Sequence, residues 1–410
     1  MMTIQSKREL LSAARVRYLK ADRTTKRRIL DELVANAGYH RKYAIQLLNH
    51  APKQRPPSPR RKRCRKYTDA VVAALEQVWR VANRICGKRL VAGLPQYVQA
   101  LEKHGEMRLD ATTRNLLLQL SPATADRLLK PMRRAERPHG ISTTKPGTLL
   151  KKSIPVRTFA QWDDARPGFV EVDLVAHCGD STRGEYLNTL NMVDVKTRWT
   201  EFLPLINRGQ AAATAAIDAC RFRLPYPLKG LDSDNGAEFI NHDLKRYCEQ
   251  AKITFTRCRP YRKNDQAYVE QKNWTAIRQF VGYDRYEGIT AYHALDALYE
   301  PLRLYMNFFQ PTMVLISKHR EGAKVTKRYD QAKTPYQRTL DAPDVSDEAK
   351  RRLTEQYEQL NPAALLRRIE ACQELLWKLA NRPAPDDDLS QFLHDLLLRP
   401  RFMASNTAAR

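Results

Sequence analysis

Apolar positions over the first fifty residues recur at helical spacing. The stretch "TTKRRILDELVANAGYHRKYAIQLLNH" divides into a helix from about Thr25 to Asn36, a turn at Ala37-Gly38 and a second helix to about Asn49. Gly38 supplies the left-handed turn residue of a helix-turn-helix, and the second helix offers His40, Arg41, Lys42 and Gln46 as groove-facing side chains. A plain helical hairpin joined by glycine reads the same way. From Tyr67 to Ala135 the period is again helical, in "TDAVVAALEQVWRVANRI", "LVAGLPQYVQALEKH" and "LDATTRNLLLQLSPATADRLLKPMRRA". Ser121 reads as an N-cap with Pro122 at the first helical position, so "SPATADRLLKPMRR" is expected to form one helix carrying Thr124, Arg127 and Lys130.

The period then changes. "GFVEVDLVAH" (168–177), "EYLNTLNMVDV" (185–195) and "RWTEFLPL" (198–205) are short, β-branched and aromatic, and predict three strands joined by turns. "QAAATAAIDACRFRL" is helical, "LKGLDS" a strand, "EFINHDLKRYCEQA" a helix, "KITFTRC" a strand and "QAYVEQKNWTAIRQFVG" a helix. The order βββαβαβα predicts a mixed sheet covered by helices. Beyond Thr290, "AYHALDALYEPLRLYMNFF" predicts a helix broken or kinked near Pro301, and "KVTKRYDQAKTPYQRTL" is basic and strand-capable. The tail past Ser346 is helical, then acidic and proline-rich.

These shifts divide the chain into a helix-turn-helix domain (1–50), a basic proline-rich linker (51–66) and a second helical, helix-turn-helix-like domain (67–135). A Gly/Pro/Thr/Lys linker (136–166), an α/β core (167–290), a helix plus basic region (291–345) and a helical tail (346–410) follow.

Charge bears on the partner. With 71 Lys+Arg against 45 Asp+Glu the formal charge is +26, a surplus that points to a polyanion, nucleic acid first. No apolar run is long enough to span a membrane and the amino terminus lacks the apolar centre of a signal peptide, so a cytoplasmic, nucleoid-associated protein is expected. The 7 cysteines are scattered without a C-x-x-C pair, which argues against a disulfide framework or a zinc ribbon.

Against this background three acids stand out. Asp173 lies in the middle of an apolar strand, where an ionised carboxylate is costly unless paired or bound to metal. Asp234 ends a later strand in "LDSDNGAEF", and Glu270 lies on the helix "AYVEQKNW", with 35 residues (235–269) between them. Two divalent cations about 3.5–4 Å apart would neutralise three such carboxylates and clamp the attacking and leaving oxygens of a phosphoryl displacement. Asp173 would bridge both ions, with Asp234 on one and Glu270 on the other. Asp232 is the rival of Asp234, while Asp180, Glu185 and Asp194 read as turn or edge acids.

Asp173, Asp234 and Glu270, with "SDNGAEFIN" and "RPYRKNDQAYVEQKNW" around the last two, resemble the D,D-35-E catalytic core of retroviral integrases and insertion-sequence transposases. The likeness runs from about Pro167 to Gly288 and is greater to the insertion-sequence branch, whose helix-turn-helix domains precede a ribonuclease-H-like core. It implies Mg²⁺- or Mn²⁺-dependent cleavage of transposon ends by two ions, strand transfer into target double-stranded DNA, and self-assembly around paired ends. The retroviral H-H-C-C zinc module has no counterpart here, so end recognition is expected of the helix-turn-helix units.

Neighbouring residues have assigned expectations. Asn235 either orients a ligand or phosphate or caps the turn. Arg259, Tyr261, Arg262, Lys263 and Asn264 form a loop suited to phosphate contact and stacking, or to plain solvation. On the Glu270 helix, Asn273 is the active-site neighbour at i+3, Lys272 is expected to meet DNA from the side, and Arg278 follows. His177 reads as a second-layer donor or a structural histidine. Two other readings of the whole chain remain: a structure-specific nuclease of the same fold, and a transposase-derived DNA-binding regulator without activity.

Overall fold

The computed structural model describes residues 3–50, 66–135, 166–234, 236–258 and 266–380. They fall into two compact units, Met1–Lys66 and Tyr67–Arg410.

The first unit packs three helices, α1 (Ile4–Lys20), α2 (Arg23–Ala37) and α3 (Arg41–Asn49). Asp22 caps α2 by accepting from the backbone N–H of Thr24 and Thr25. Gly38 ends it at φ +70°, a conformation open to glycine, with its N–H on the Val34 carbonyl. Tyr18, Ile29, Leu30, Leu33, Ala44 and Leu48 form the buried centre, and Arg15 ties α1 to the Leu48 carbonyl at 3.1 Å.

The second unit opens with α4 (Asp69–Val81), α5 (Gly87–Lys103), α6 (Ala111–Leu118), α7 (Pro122–Leu128) and α8 (Lys130–Ala135). Two sequence expectations change here. The first helix ends at Val81 rather than running through Ile85, because Asn83 and Arg84 both take left-handed φ, +54° and +58°. The expected single helix after Ser121 is two, interrupted at Leu129, whose side chain is fully buried and whose backbone N–H caps α7 on the Ala125 carbonyl. Ser121 does accept the Thr124 N–H and Pro122 does open α7.

The central sheet comprises β1 (Phe169–Ala176), β2 (Asn188–Asp194), β3 (Thr200–Leu205), β4 (Gly230–Ser233) and β5 (Thr254–Arg257), in the order β3-β2-β1-β4-β5. β1–β2 and β2–β3 are antiparallel, β1–β4 and β4–β5 parallel. Helices α9 (Gln210–Arg223) and α10 (His242–Gln250) make the two crossovers, and α11 (Ala267–Lys272) follows β5. This is the ribonuclease-H-like arrangement expected from the sequence. α11 runs on through a π-helical stretch, Asn273–Arg278, into α12 (Gln279–Val281); such wide turns recur at functional sites.

After α12 comes α13 (Gly288–Phe309), which passes Pro301 unbroken, contrary to the expected interruption. Its buried flank, including Leu298, Leu302, Tyr305 and Phe308, gives packing that outweighs one lost backbone bond. The hairpin β6 (Leu315–Glu321) and β7 (Lys324–Tyr329) and helices α14 (Pro335–Asp341), α15 (Asp347–Gln359) and α16 (Pro362–Lys378) complete the described chain. The α4–α8 helices share one apolar core with the sheet and with α13 and α16. Tyr97 donates to the Phe309 carbonyl at 2.7 Å and Tyr305 to that of Val81 at 2.6 Å. No helix among the described residues is long and apolar enough to cross a membrane.

Candidate active site

Pairing β4 beside β1 in parallel sets Val172 opposite Ser233, so that Asp173 and Asp234 lie one step further along adjacent chains. Asp173 is half-buried, and its carboxyl is pushed up to about 7 by burial and by the charge of Asp234, with the charge of Glu238 adding a smaller rise. Asp234 is raised as well, by burial and then by Glu238, while the Gly236 N–H on its Oδ1 at 2.9 Å opposes the shift. The D-N-G turn needs its glycine for space. A Cβ on Gly236 would meet the Glu238 carboxyl carbon at 2.7 Å and Asp234 Oδ1 at 2.9 Å.

Glu270 stands on α11 with its side chain exposed. Its helix is held to the pair by Asn273, whose Nδ2 donates to Asp173 Oδ2 at 2.6 Å. The other end of that amide is spent too: Asn273 Oδ1 accepts from Asn191 Nδ2 at 2.7 Å, and Asn191 lies directly across β2 from Asp173. Asp173 Oδ1 accepts its neighbour's N–H, from Leu174, at 2.8 Å. The structure thus brings Asp173 and Asp234 together. Among the described residues it does not gather three His, Cys, Asp or Glu side chains into one metal-sized group.

Sequence reasoning missed three members of this site. Glu171, two residues before Asp173 and on the same face of β1, accepts the backbone N–H of Tyr268 at 3.0 Å and of Val269 at 2.8 Å. It therefore caps the first turn of α11 from inside the sheet. Burial pushes its carboxyl up to about 8, and Asp232 beside it adds to the rise. Its Oε1 has no hydrogen-bond partner among the described residues. Glu238 was visible as the acid closing "SDNGAEF", and Asn191 as a polar residue within the second strand.

Other expectations resolve individually. Asp232 is buried within the sheet and accepts the Thr256 hydroxyl at 2.6 Å, away from the strand end that Asp234 occupies. Asp194 is a buried turn acid that accepts the Gly168 and Thr197 N–H groups, while Asp180 and Glu185 are exposed. His177 is fully buried with Nε2 on the Thr189 hydroxyl at 2.7 Å, and burial, then Arg278, lowers its pKa to about 3. Arg278 donates to the Ala176 carbonyl at 2.9 Å and lies over the Tyr283 ring.

Lys272 is corrected. It is 3% exposed rather than presented at the side of the helix, and its Nζ has no partner among the described residues. Burial, followed by the charges of Arg89 and Arg198, lowers its pKa to about 7. Being four residues on from Tyr268, it lies on the back of α11, opposite Glu270.

Arg41, Lys42 and Gln46 are exposed on α3, Arg41 paired with Asp31. Arg127 and Lys130 are exposed at the α7–α8 break. Asn235, Arg259, Tyr261, Arg262, Lys263 and Asn264 lie outside the described residues.

Residues 163–263 match the integrase core domain family, a span that holds Asp173 and Asp234 and stops short of Glu270. Protein y4rM of Sinorhizobium fredii (strain NBRC 101917 / NGR234), described as uncharacterized, is 41% identical over 337 residues, covering 82% of this chain and 96% of that one. Two solved structures are similar to parts of the chain. The HTLV-2 integrase catalytic core domain in complex with magnesium has TM-score 0.27, 14% identity and coverage of 36% of this chain and 91% of its own. The catalytic core domain of BIV integrase has TM-score 0.28, 18% identity and coverage of 42% and 94%. The chain belongs to one family with protein y4rM, and residues 163–263 within it carry an integrase core domain over the central sheet.

Proposed function

We propose that the chain is a DNA transposase that cleaves the ends of a mobile element and joins them to target DNA. The observation that carries this reading is the Asp173–Asp234 pair, two half-buried carboxyls both raised in proton affinity, Asp173 in part by the charge of Asp234, beside a helix bearing Glu270. Such a pair fits hard divalent cations, because a cation relieves the repulsion and supplies the charge that burial removes. Asp173, Asp234 and Glu270 would hold Mg²⁺ or Mn²⁺, one ion or two. When bound, the metal supplies charge stabilisation for oxygens around a phosphorus under attack.

The chain's own groups do the rest. Asn273 fixes the Asp173 carboxylate, Asn191 fixes Asn273, and Glu171 fixes the start of the helix that carries Glu270. In the first step water forms a bond to phosphorus and the 3′ oxygen leaves, giving a 3′-hydroxyl and a 5′-phosphate. In the second, that hydroxyl bonds to a target phosphorus and the target's own 3′ oxygen leaves. Exposed Arg41, Lys42 and Gln46 suit element-end recognition, and Arg127 and Lys130 suit phosphate contact. Paired ends imply a homo-oligomer, and double-stranded DNA of the cytoplasm and nucleoid is the substrate.

The test is a gel assay of purified protein with Mg²⁺ or Mn²⁺ and labelled duplexes carrying the ends that flank its gene. Nicked and joined products from the wild type that vanish in Glu270→Gln support the reading. Tight end binding with no products, over both metals, would instead favour a regulator built on an integrase scaffold.

A further inference from the structure

The β6–β7 hairpin is an unusual element for a folded chain. From Ile316 to Glu321 and again from Val325 to Tyr329 its side chains are exposed, so it covers no core of its own. An unsupported two-stranded ribbon is marginal in water. This one is anchored at its root: Asp330 accepts the Val314 N–H at 2.6 Å, Arg338 pairs with Asp330 at 2.8 Å, and Thr312 bridges to Lys333. Gly322, at φ +57°, takes the first central position of the two-residue turn between Glu321 and Lys324.

The register makes the charge pattern specific. Lys318 pairs with Lys327 directly across the ribbon, with Arg320 two residues along on the same face, and Arg328 lies on the other face opposite Ser317. Like charges placed opposite each other destabilise an antiparallel pair. No ion pair to Lys318, Lys327 or Arg328 occurs among the described residues. Residues 315–329 hold five Lys/Arg and a single Glu. Lysines on exposed edges also hinder strand addition, which disfavours a second copy of the chain as the occupant. A polyanion relieves every one of these repulsions.

Position narrows the partner. Val314, Leu315 and Tyr329 at the ribbon's root line the same small cleft as Tyr268, Gln271 and Lys272 of α11, the helix that bears Glu270. We infer that the β6–β7 ribbon, rooted against the back of the helix that bears Glu270, is a DNA-binding arm that grips duplex phosphates without reading sequence. The inference rests on the DNA transposase reading. The major groove admits a two-stranded ribbon. At about 3.3 Å per residue, the 7-residue β6 spans about 23 Å, or about seven base pairs.

The test uses the full chain and a labelled duplex unrelated to any element end, with affinity measured across NaCl concentrations. Lys318→Gln/Lys327→Gln/Arg328→Gln is compared with wild type, with thermal melting and light scattering on both. The expected result is a log–log salt slope lower by about two to three and affinity at about 0.1 M salt weaker by on the order of a hundredfold, with mass and melting unchanged. Lys327→Glu leaves an opposed Lys–Glu pair that favours the ribbon, and weakens binding in the same direction should the triple variant not fold. An unchanged slope in both variants, with wild type binding, overturns the arm alone and leaves the transposase reading standing. A loss confined to element-end duplexes, or a fall in oligomeric mass, also overturns it, while wild type that binds no duplex sinks both readings.

Discussion

Asn273 Nδ2 donates to Asp173 Oδ2 at 2.6 Å, joining the end of α11 to the central strand across 100 residues of sequence. A hydrogen bond to a charged group contributes about 1.5–3 kcal/mol. Asn273→Ala is expected to lower strand-transfer rate by at least about tenfold and the melting temperature by no more than the loss of that bond accounts for, because the side chain is only half-buried. Rate and melting measured on one preparation check this; an unchanged rate would remove Asn273 from the machinery.

Glu171 separates two roles of one side chain. Its carboxyl is raised to about 8, so near neutrality it resembles an amide that still accepts two backbone N–H groups. Glu171→Gln should lie within about 1 kcal/mol of wild type in urea unfolding, whereas Glu171→Ala, leaving both N–H groups buried without an acceptor, should cost about 2–4 kcal/mol. Equal losses would mean that the site needs the charge and not the cap.

His177 sets an acid limit. Its folded-state pKa, lowered to about 3, lies below the unfolded value near 6.5, so the unfolded chain takes up the proton first. The stability it contributes is present above that unfolded value and is lost as pH falls from there toward 3. Between pH 7 and 5 the loss is about 2 kcal/mol, and His177→Gln should flatten that part of the urea-derived stability curve.

Gly236→Ala tests the strand-end turn. The added carbon cannot fit unless Glu238 and Asp234 both move. Activity should fall at least about tenfold with the sheet intact by circular dichroism, and Glu238→Ala in the same background should recover part of it by removing the carboxyl group that the new carbon meets.

Much of this was legible in the chain because it rests on local pattern. Runs rich in β-branched and aromatic residues marked all three antiparallel strands, and the D-N-G stretch marked the end of β4. Glu171 was not legible, since an acid two residues from Asp173 in a strand reads as one more outward-facing charge until α11 is seen lying over it. Lys272 failed for a related reason. Helical spacing alone placed it on the flank of α11, but the back of that helix packs under the ribbon root, and only tertiary packing shows this. The left-handed pair Asn83 and Arg84 and the π-helical turn after Lys272 carry no glycine or proline that would announce them.

The proposed function requires Asp173 and Asp234 to hold a divalent cation between them. Calorimetric titration of the protein with Mn²⁺, beside Asp173→Asn and the exposed-site control Asp180→Asn, tests for it. Saturable binding by wild type and Asp180→Asn, weaker by on the order of a hundredfold or more in Asp173→Asn, is the expected result. Equal binding by all three proteins would contradict it.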